Sequence, residues 1–188
     1  MRNLDLLKDI IREHRRIIFN GDNYTEEWVR EAERRGLPNI GNCVDGLKVM
    51  LDKDAERLFA KFGVLSKNEL HARYDILIER YCKEINIEAL TALQMAKRQI
   101  LPAAMKYSGV VANSVTSIKA AGATAKAQSK LLSDLCSLID TLQVDIVNLE
   151  EAVAKAGSAT PLVKQAETYR DIVIPAMGAI RSTADQLE

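Results

Sequence analysis

LSDLCSLIDTLQVDIVNLEEAV, residues Leu132 to Val153, places Leu132, Ile139, Ile146 and Val153 seven residues apart, and Leu135, Leu142 and Leu149 likewise. That spacing is a three-heptad seam, the apolar stripe of a helix that packs lengthwise on another helix. The seam lies within a helical segment of about Thr124 to Ala156, between Gly122 and Gly157, both read as stops. Isoleucine or valine at one seam position with leucine at the other suits a two-stranded parallel coiled coil. The competing arrangement is internal: short loops at Gly122 and Gly157 turn the chain back on itself, so that neighbouring helices run antiparallel and supply the partner stripe. The second arrangement is favoured, and the fold class that follows is all-α: an antiparallel bundle of long helices preceded by shorter N-terminal ones.

Upstream of the seam, Ser66-Lys67-Asn68-Glu69 matches a capping box, in which the serine accepts from a free backbone amide and the glutamate reaches back to another. It opens a long helix. Tyr74, Leu77, Ile78, Tyr81, Ile85, Ala89, Ala92, Ala96, Ile100, Ala103, Tyr107 and Val111 hold helical phase through it. Pro102 sits inside the run without resetting the phase, which predicts a kinked helix or two nearly collinear ones. Downstream, Ser158-Ala159-Thr160-Pro161 supplies a cap with proline at the first helical position. The last helix runs toward Leu187 with Ala166, Tyr169, Val173, Ala176, Ile180 and Leu187 inward, and Pro175 is its expected kink. Ile100-Leu101-Pro102-Ala103-Ala104-Met105 and Val173-Ile174-Pro175-Ala176-Met177 look alike, but no fixed period links their flanks, and coincidence is the simpler account.

The first 65 residues are built differently. A periodic segment from about Leu4 to Phe19 carries Leu4, Leu7, Ile10, Ile11, Ile17 and Ile18, and the turn Asn20-Gly21-Asp22-Asn23 ends it. A helix of about Thr25 to Arg35 follows, with Glu26 and Glu27 in the first turn and Arg34 and Arg35 in the last, each sign suited to its end of the dipole. The breaker-rich stretch Gly36 to Asn42 is a loop. Two short helices, about Val44 to Met50 and Asp52 to Lys61, then lead to a stop at Gly63. The organisation read from this is an N-terminal short-helix segment, 1–65, and a long-helix bundle, 66–188, within one compact domain.

Composition narrows the function classes. In 188 residues, 26 Lys and Arg balance 26 Asp and Glu, so the formal net charge is zero, and no basic footprint for nucleic acid or an anionic membrane exists. No apolar run reaches the roughly 20 residues of a membrane span, and Met1 to Asp9 lacks the apolar core of a secretory signal. Cys43, Cys82 and Cys136 are odd in number and far apart, as reduced cytoplasmic thiols are, so a cytoplasmic protein is expected. The only histidines, His14 and His71, read as surface residues. Cys82 and Cys136, set among leucine, isoleucine and tyrosine, read as buried thiols and not nucleophiles. Neither a zinc-helix motif nor a phosphate-binding glycine loop occurs, so no catalytic, cofactor-binding or metal residue is assigned. Trp28, the only tryptophan, fits two roles equally: an interface anchor, or core filling beneath the Asn20 to Asn23 turn.

The stretch Ile17-Ile18-Phe19-Asn20-Gly21-Asp22-Asn23-Tyr24-Thr25-Glu26-Glu27-Trp28, continuing through Glu31-Ala32-Glu33-Arg34-Arg35-Gly36-Leu37-Pro38-Asn39, resembles the segment that follows the catalytic region in type III glutamine synthetases. Ser66 to Tyr74, Glu84 to Glu88, Gln99 to Ala104 and Arg181 to Glu188 also look like that family's helical C-terminal region. The resemblance implies a parent enzyme that joins ammonia to glutamate using ATP and magnesium bound upstream, in a large homo-oligomer. Within it this chain is a structural or intersubunit domain, not catalytic alone, whose partners are the catalytic region of the same polypeptide and neighbouring subunits. Asn20, Gly21, Asp22, Tyr24, Trp28, Arg35, Gly36 and Asn39 are the positions the resemblance marks as an interface or structural motif. The family's aromatic and proline-containing tail is not found after Leu187, so a piece of a longer chain is expected. The alternative is a free-standing helical adaptor that pairs through the Leu132 to Val153 seam.

Overall fold

The computed structural model describes residues 2–188, without the side chains of Arg2, Asn3 and Ile17, and it is all-α, with no strand among the described residues. Contacts divide the chain into unit 1, Met1–Asp45, and unit 2, Gly46–Glu188, and not at 65/66. The segment that follows position 45 belongs with the long helices because its side chains reach them: Lys48 pairs with Glu167 at 2.9 Å, and Glu56 meets Lys67 at 3.2 Å and His71 at 3.1 Å.

Unit 1 contains α1 (Arg2–Glu13), a 3-10 turn over Arg15–Ile17 and α2 (Glu26–Arg34). The helix expected from Leu4 to Phe19 therefore stops six residues early. Its stripe is not core, since Leu4, Leu7, Ile10 and Ile11 are 45–63% exposed, and Ile18 is exposed as well. The expected position Ile17 lies, for its side chain, outside the described residues. Gly36 ends α2 with φ +70°, a left-handed backbone in which glycine avoids the cost other residues meet. The boundary between the units falls within α3 (Cys43–Lys48).

Unit 2 continues with α4 (Lys53–Lys61), α5 (Lys67–Met95), α6 (Leu101–Ala120), α7 (Lys126–Ser158), α8 (Leu162–Thr168) and α9 (Ile174–Leu187). Helix α5 begins where the capping box predicts: the Glu69 amide donates to Ser66 Oγ at 3.3 Å, and the Ser66 amide donates to the Glu69 carboxylate at 2.8 Å. Leu70, Ile78, Leu142, Ile146, Leu149 and Val173 are fully buried, each contributing about 1.5–3 kcal/mol of transfer free energy. The seam thus has its partners inside the chain, where α7 packs on α6 and α9. Gly157 does not stop α7; the helix passes through it to Ser158, because no left-handed residue interrupts it there.

Both interior prolines are accommodated in the same way. A π turn over Ala96–Ile100 precedes α6, with Pro102 its second residue, and another over Tyr169–Val173 precedes α9, with Pro175 second. A wider turn relieves the carbonyl that a proline leaves without its amide donor. The two proline segments therefore share one local geometry, a π turn followed by a helix with proline second. The first π turn also shifts the buried phase by one residue: Ala104 and Ser108 are half-buried where Ala103 and Tyr107 were expected, and those two are exposed.

Polar bonds tie the helices together at fixed heights. The buried Thr183 hydroxyl donates to Asp145 at 2.7 Å, Tyr169 donates to Asn86 at 3.1 Å, and Gln165 donates to the Ala156 carbonyl at 3.2 Å. Among the described residues no helix is long and apolar enough to cross a membrane.

Candidate functional site

The Asn20 to Asn39 block forms a compact arrangement around Trp28. Asp22 closes the turn locally: its carboxylate accepts from the Tyr24 amide at 2.9 Å, and its carbonyl accepts from the Thr25 hydroxyl at 2.8 Å. Phe19 folds back beneath this turn, so that a Cβ at Gly21 would meet its ring at 2.6 Å. The same ring lies 4.8 Å from Trp28, centroid to centroid, tilted at 38°. On the other side the Arg35 guanidinium stands 5.9 Å from the Trp28 ring, within cation–π range. Trp28 is half-buried between them. Its packing on Phe19 is the contact that one of its two sequence readings, filling beneath the turn, expects.

Arg35 is held by more than the ring. It donates to the Arg16 carbonyl at 3.0 Å and to the Ile18 carbonyl, and it pairs with Glu31 one helical turn earlier. Arg34 grips the same carboxylate through both nitrogens, at 2.7 and 2.6 Å. These bonds, Arg34's before Arg35's, draw the Glu31 carboxyl down from its ordinary value near 4.5 to about 2.

Not every expected position joins the cluster. Gly36 supplies only its left-handed turn. Tyr24 is fully exposed and contributes its backbone amide. Neither Asn20 nor Asn39 hydrogen-bonds through its side chain to another described residue, although Asn20 lines a hollow on unit 1. Sequence reasoning missed Phe19, Glu31, Arg15, Arg16 and Arg34; the signal available was the pair of arginine doublets that brackets the block.

Arg15, Arg16, Ile18, Phe19, Asn20, Arg34 and Arg35 surround a hollow of about 630 Å³ on unit 1. A second concavity, an open groove of about 880 Å³ in unit 2, is lined mainly by Ala, Met, Ile and Leu. Among its polar lining residues, Arg181 and Asp185 pair with each other at 2.7 Å, and Gln99, Tyr107 and Glu188 also line it. His14 is exposed, and His71 is half-buried against Glu56. Burial raises the Cys82 thiol above its ordinary range. Cys136, expected to be buried, is exposed, because it follows Leu135 by one residue and so points off the seam. Among the described residues no three His, Cys, Asp or Glu side chains converge as a metal-ligand set.

Residues 3–119 match the family model described as glutamine synthetase C-terminal domain. Over 186 residues the chain is 30% identical to the glutamine synthetase of Butyrivibrio fibrisolvens, covering 98% of this chain and 27% of that protein. The type-3 glutamine synthetase of Dictyostelium discoideum is 29% identical over 196 residues, covering 97% of this chain and 26% of that protein. The glutamine synthetase of Bacteroides fragilis (strain YCH46) is 25% identical over 189 residues, with coverage of 97% and 26%. The chain thus spans about a quarter of the length of these relatives.

Proposed function

Because this chain belongs to the glutamine synthetase C-terminal domain family, we propose that it is the helical C-terminal domain of a type III glutamine synthetase, a structural and intersubunit element without catalysis of its own. In this reading a catalytic region of the same polypeptide, in the cytoplasm, ligates ammonia to glutamate with ATP and magnesium. The domain packs beside that region and against neighbouring subunits of a homo-oligomer. The observation that carries the reading is coverage: similarity to these enzymes runs through 97–98% of this chain while using only 26–27% of theirs.

The described residues do not fit the catalytic ATP–magnesium site. Glu31, Glu56 and Glu167 are each engaged by basic side chains, and among the described residues no group of three or more His, Cys, Asp or Glu gathers to hold a metal ion. The exposed stripe of α1 favours a domain that meets further protein surface, since solvent-facing leucine and isoleucine at helical spacing gain most by being covered. The adaptor alternative loses its support. Leu135, Leu142, Ile146 and Leu149, the centre of its seam, are buried within unit 2.

Incubating the purified chain with glutamate, ammonia, ATP and magnesium tests the non-catalytic part: phosphate release is expected at the buffer blank, and release above it overturns the reading. Deleting the aligned quarter from the Butyrivibrio fibrisolvens enzyme tests the structural part. Loss of the oligomer is expected, whereas a deletion variant of unchanged oligomeric order contradicts the assignment.

A further inference from the structure

The hollow on unit 1 has no place in the role proposed for the chain, yet four of the seven residues that line it are arginines. Its volume, about 630 Å³, lies in the range of small-ligand sites, roughly 300–1,000 Å³. Four arginines line it and, among the described residues, no acidic side chain does. Glu31 neutralises one charge from the side of Arg34 and Arg35. No carboxylate pairs with Arg15 or Arg16 among the described residues. The four arginine residues that line the hollow, against the one carboxylate of Glu31, carry an excess of 4 − 1 = +3, in a chain whose formal net charge is zero. Converging like charges is unfavourable unless an anion offsets it, and a concave surface focuses the resulting field. The arrangement is also held in advance, because Arg35 is fixed by the Arg16 and Ile18 carbonyls and by the Trp28 ring.

We infer that this hollow binds a small multivalent oxyanion of the di- or triphosphate class. Guanidinium forks match the paired oxygens of phosphate, and the three to four negative charges of such a ligand balance the +3. A single carboxylate would leave two charges unmet. With no lining carboxylate to hold a metal, the free polyanion is preferred to its magnesium complex, which separates this site from a catalytic ATP–magnesium site.

Titration calorimetry of the whole chain with sodium tripolyphosphate tests the assignment. One-to-one, saturable binding is expected, weakened as salt is added. Arg15→Ala with Arg16→Ala should weaken it about tenfold or more, since charge-assisted hydrogen bonds are lost, while Arg16→Lys retains part of it. Trp28 fluorescence checks that unit 1 keeps its fold in each variant, and Arg34→Ala, at an exposed side chain, gives an independent loss should the double variant unfold. Magnesium added with the ligand should lower the affinity. The inference is overturned by no saturable heat at millimolar ligand, by equal affinity in the arginine variants, by tighter binding with magnesium, or by citrate and sulfate binding as well as tripolyphosphate.

Discussion

Helices α1 and α7 both carry an apolar stripe at helical spacing, and the stripes end in opposite situations. On α7, Leu142 and Leu149 are wholly buried and Ile146 is 1% exposed; on α1, Leu4, Leu7, Ile10 and Ile11 keep about half their surface in water. In unit 1 only Ala32 and Val44 among the described residues are buried. What organises that unit is a small set of directional contacts: Phe19 on Trp28, Arg35 on Trp28, and Glu31 between two arginines. Amphipathicity thus states that a helix has a face to bury. It does not state that the same chain holds the cover.

The comparison breaks most plainly with an aspartate placed on each stripe. Leu142→Asp buries an unpaired charge and should cost about 4 kcal/mol or more, abolishing the cooperative urea transition of unit 2. Leu7→Asp on α1 should move that transition by no more than about 0.5 kcal/mol, as at any exposed site. Equal losses would mean that α1 is core. Truncation gives the next effect: Leu149→Ala should cost about 2–5 kcal/mol by transfer and cavity terms, read from the shift in the urea midpoint. Removing the α5 cap with Ser66→Ala is smaller, about 1 kcal/mol, because one amide of the first turn loses its acceptor.

Acid sharpens the contrast with the least effect on the bundle. The Glu31 carboxyl is lowered in the folded chain, so the stabilisation it gives is complete above about 4.5 and is lost as pH falls through about 2. Fluorescence of Trp28, the only tryptophan, should therefore change in that window as the Arg34 and Arg35 pairings open. Glu31→Gln should remove that transition. A transition that survives the substitution assigns it to another carboxylate.

The long-helix half was legible because its signals are local. The capping box at Ser66, the stop at Gly122 and the seven-residue seam each depend on neighbours within one or two turns, and the structure has all three. The π turns were not legible, because they insert one residue into a phase that Ala103 and Tyr107 continue well enough on paper. At the site, the Asp22 turn and the left-handed Gly36 follow from residue type alone. The grip of Arg35 on the Arg16 and Ile18 carbonyls, across 19 and 17 residues, does not. Phe19 and Glu31 were missed for the same reason: their roles exist only once α2 has folded back on the segment before it.

Amide hydrogen exchange on the isolated, monomeric chain tests most directly that one unit satisfies its own stripes and the other leaves a stripe uncovered. The amides of α5, α7 and α9 are expected to exchange only through global unfolding, while those of α1 are expected to exchange within about tenfold of an unstructured peptide, as in a short helix whose apolar stripe is exposed. Protection of α1 equal to that of α7 would contradict it.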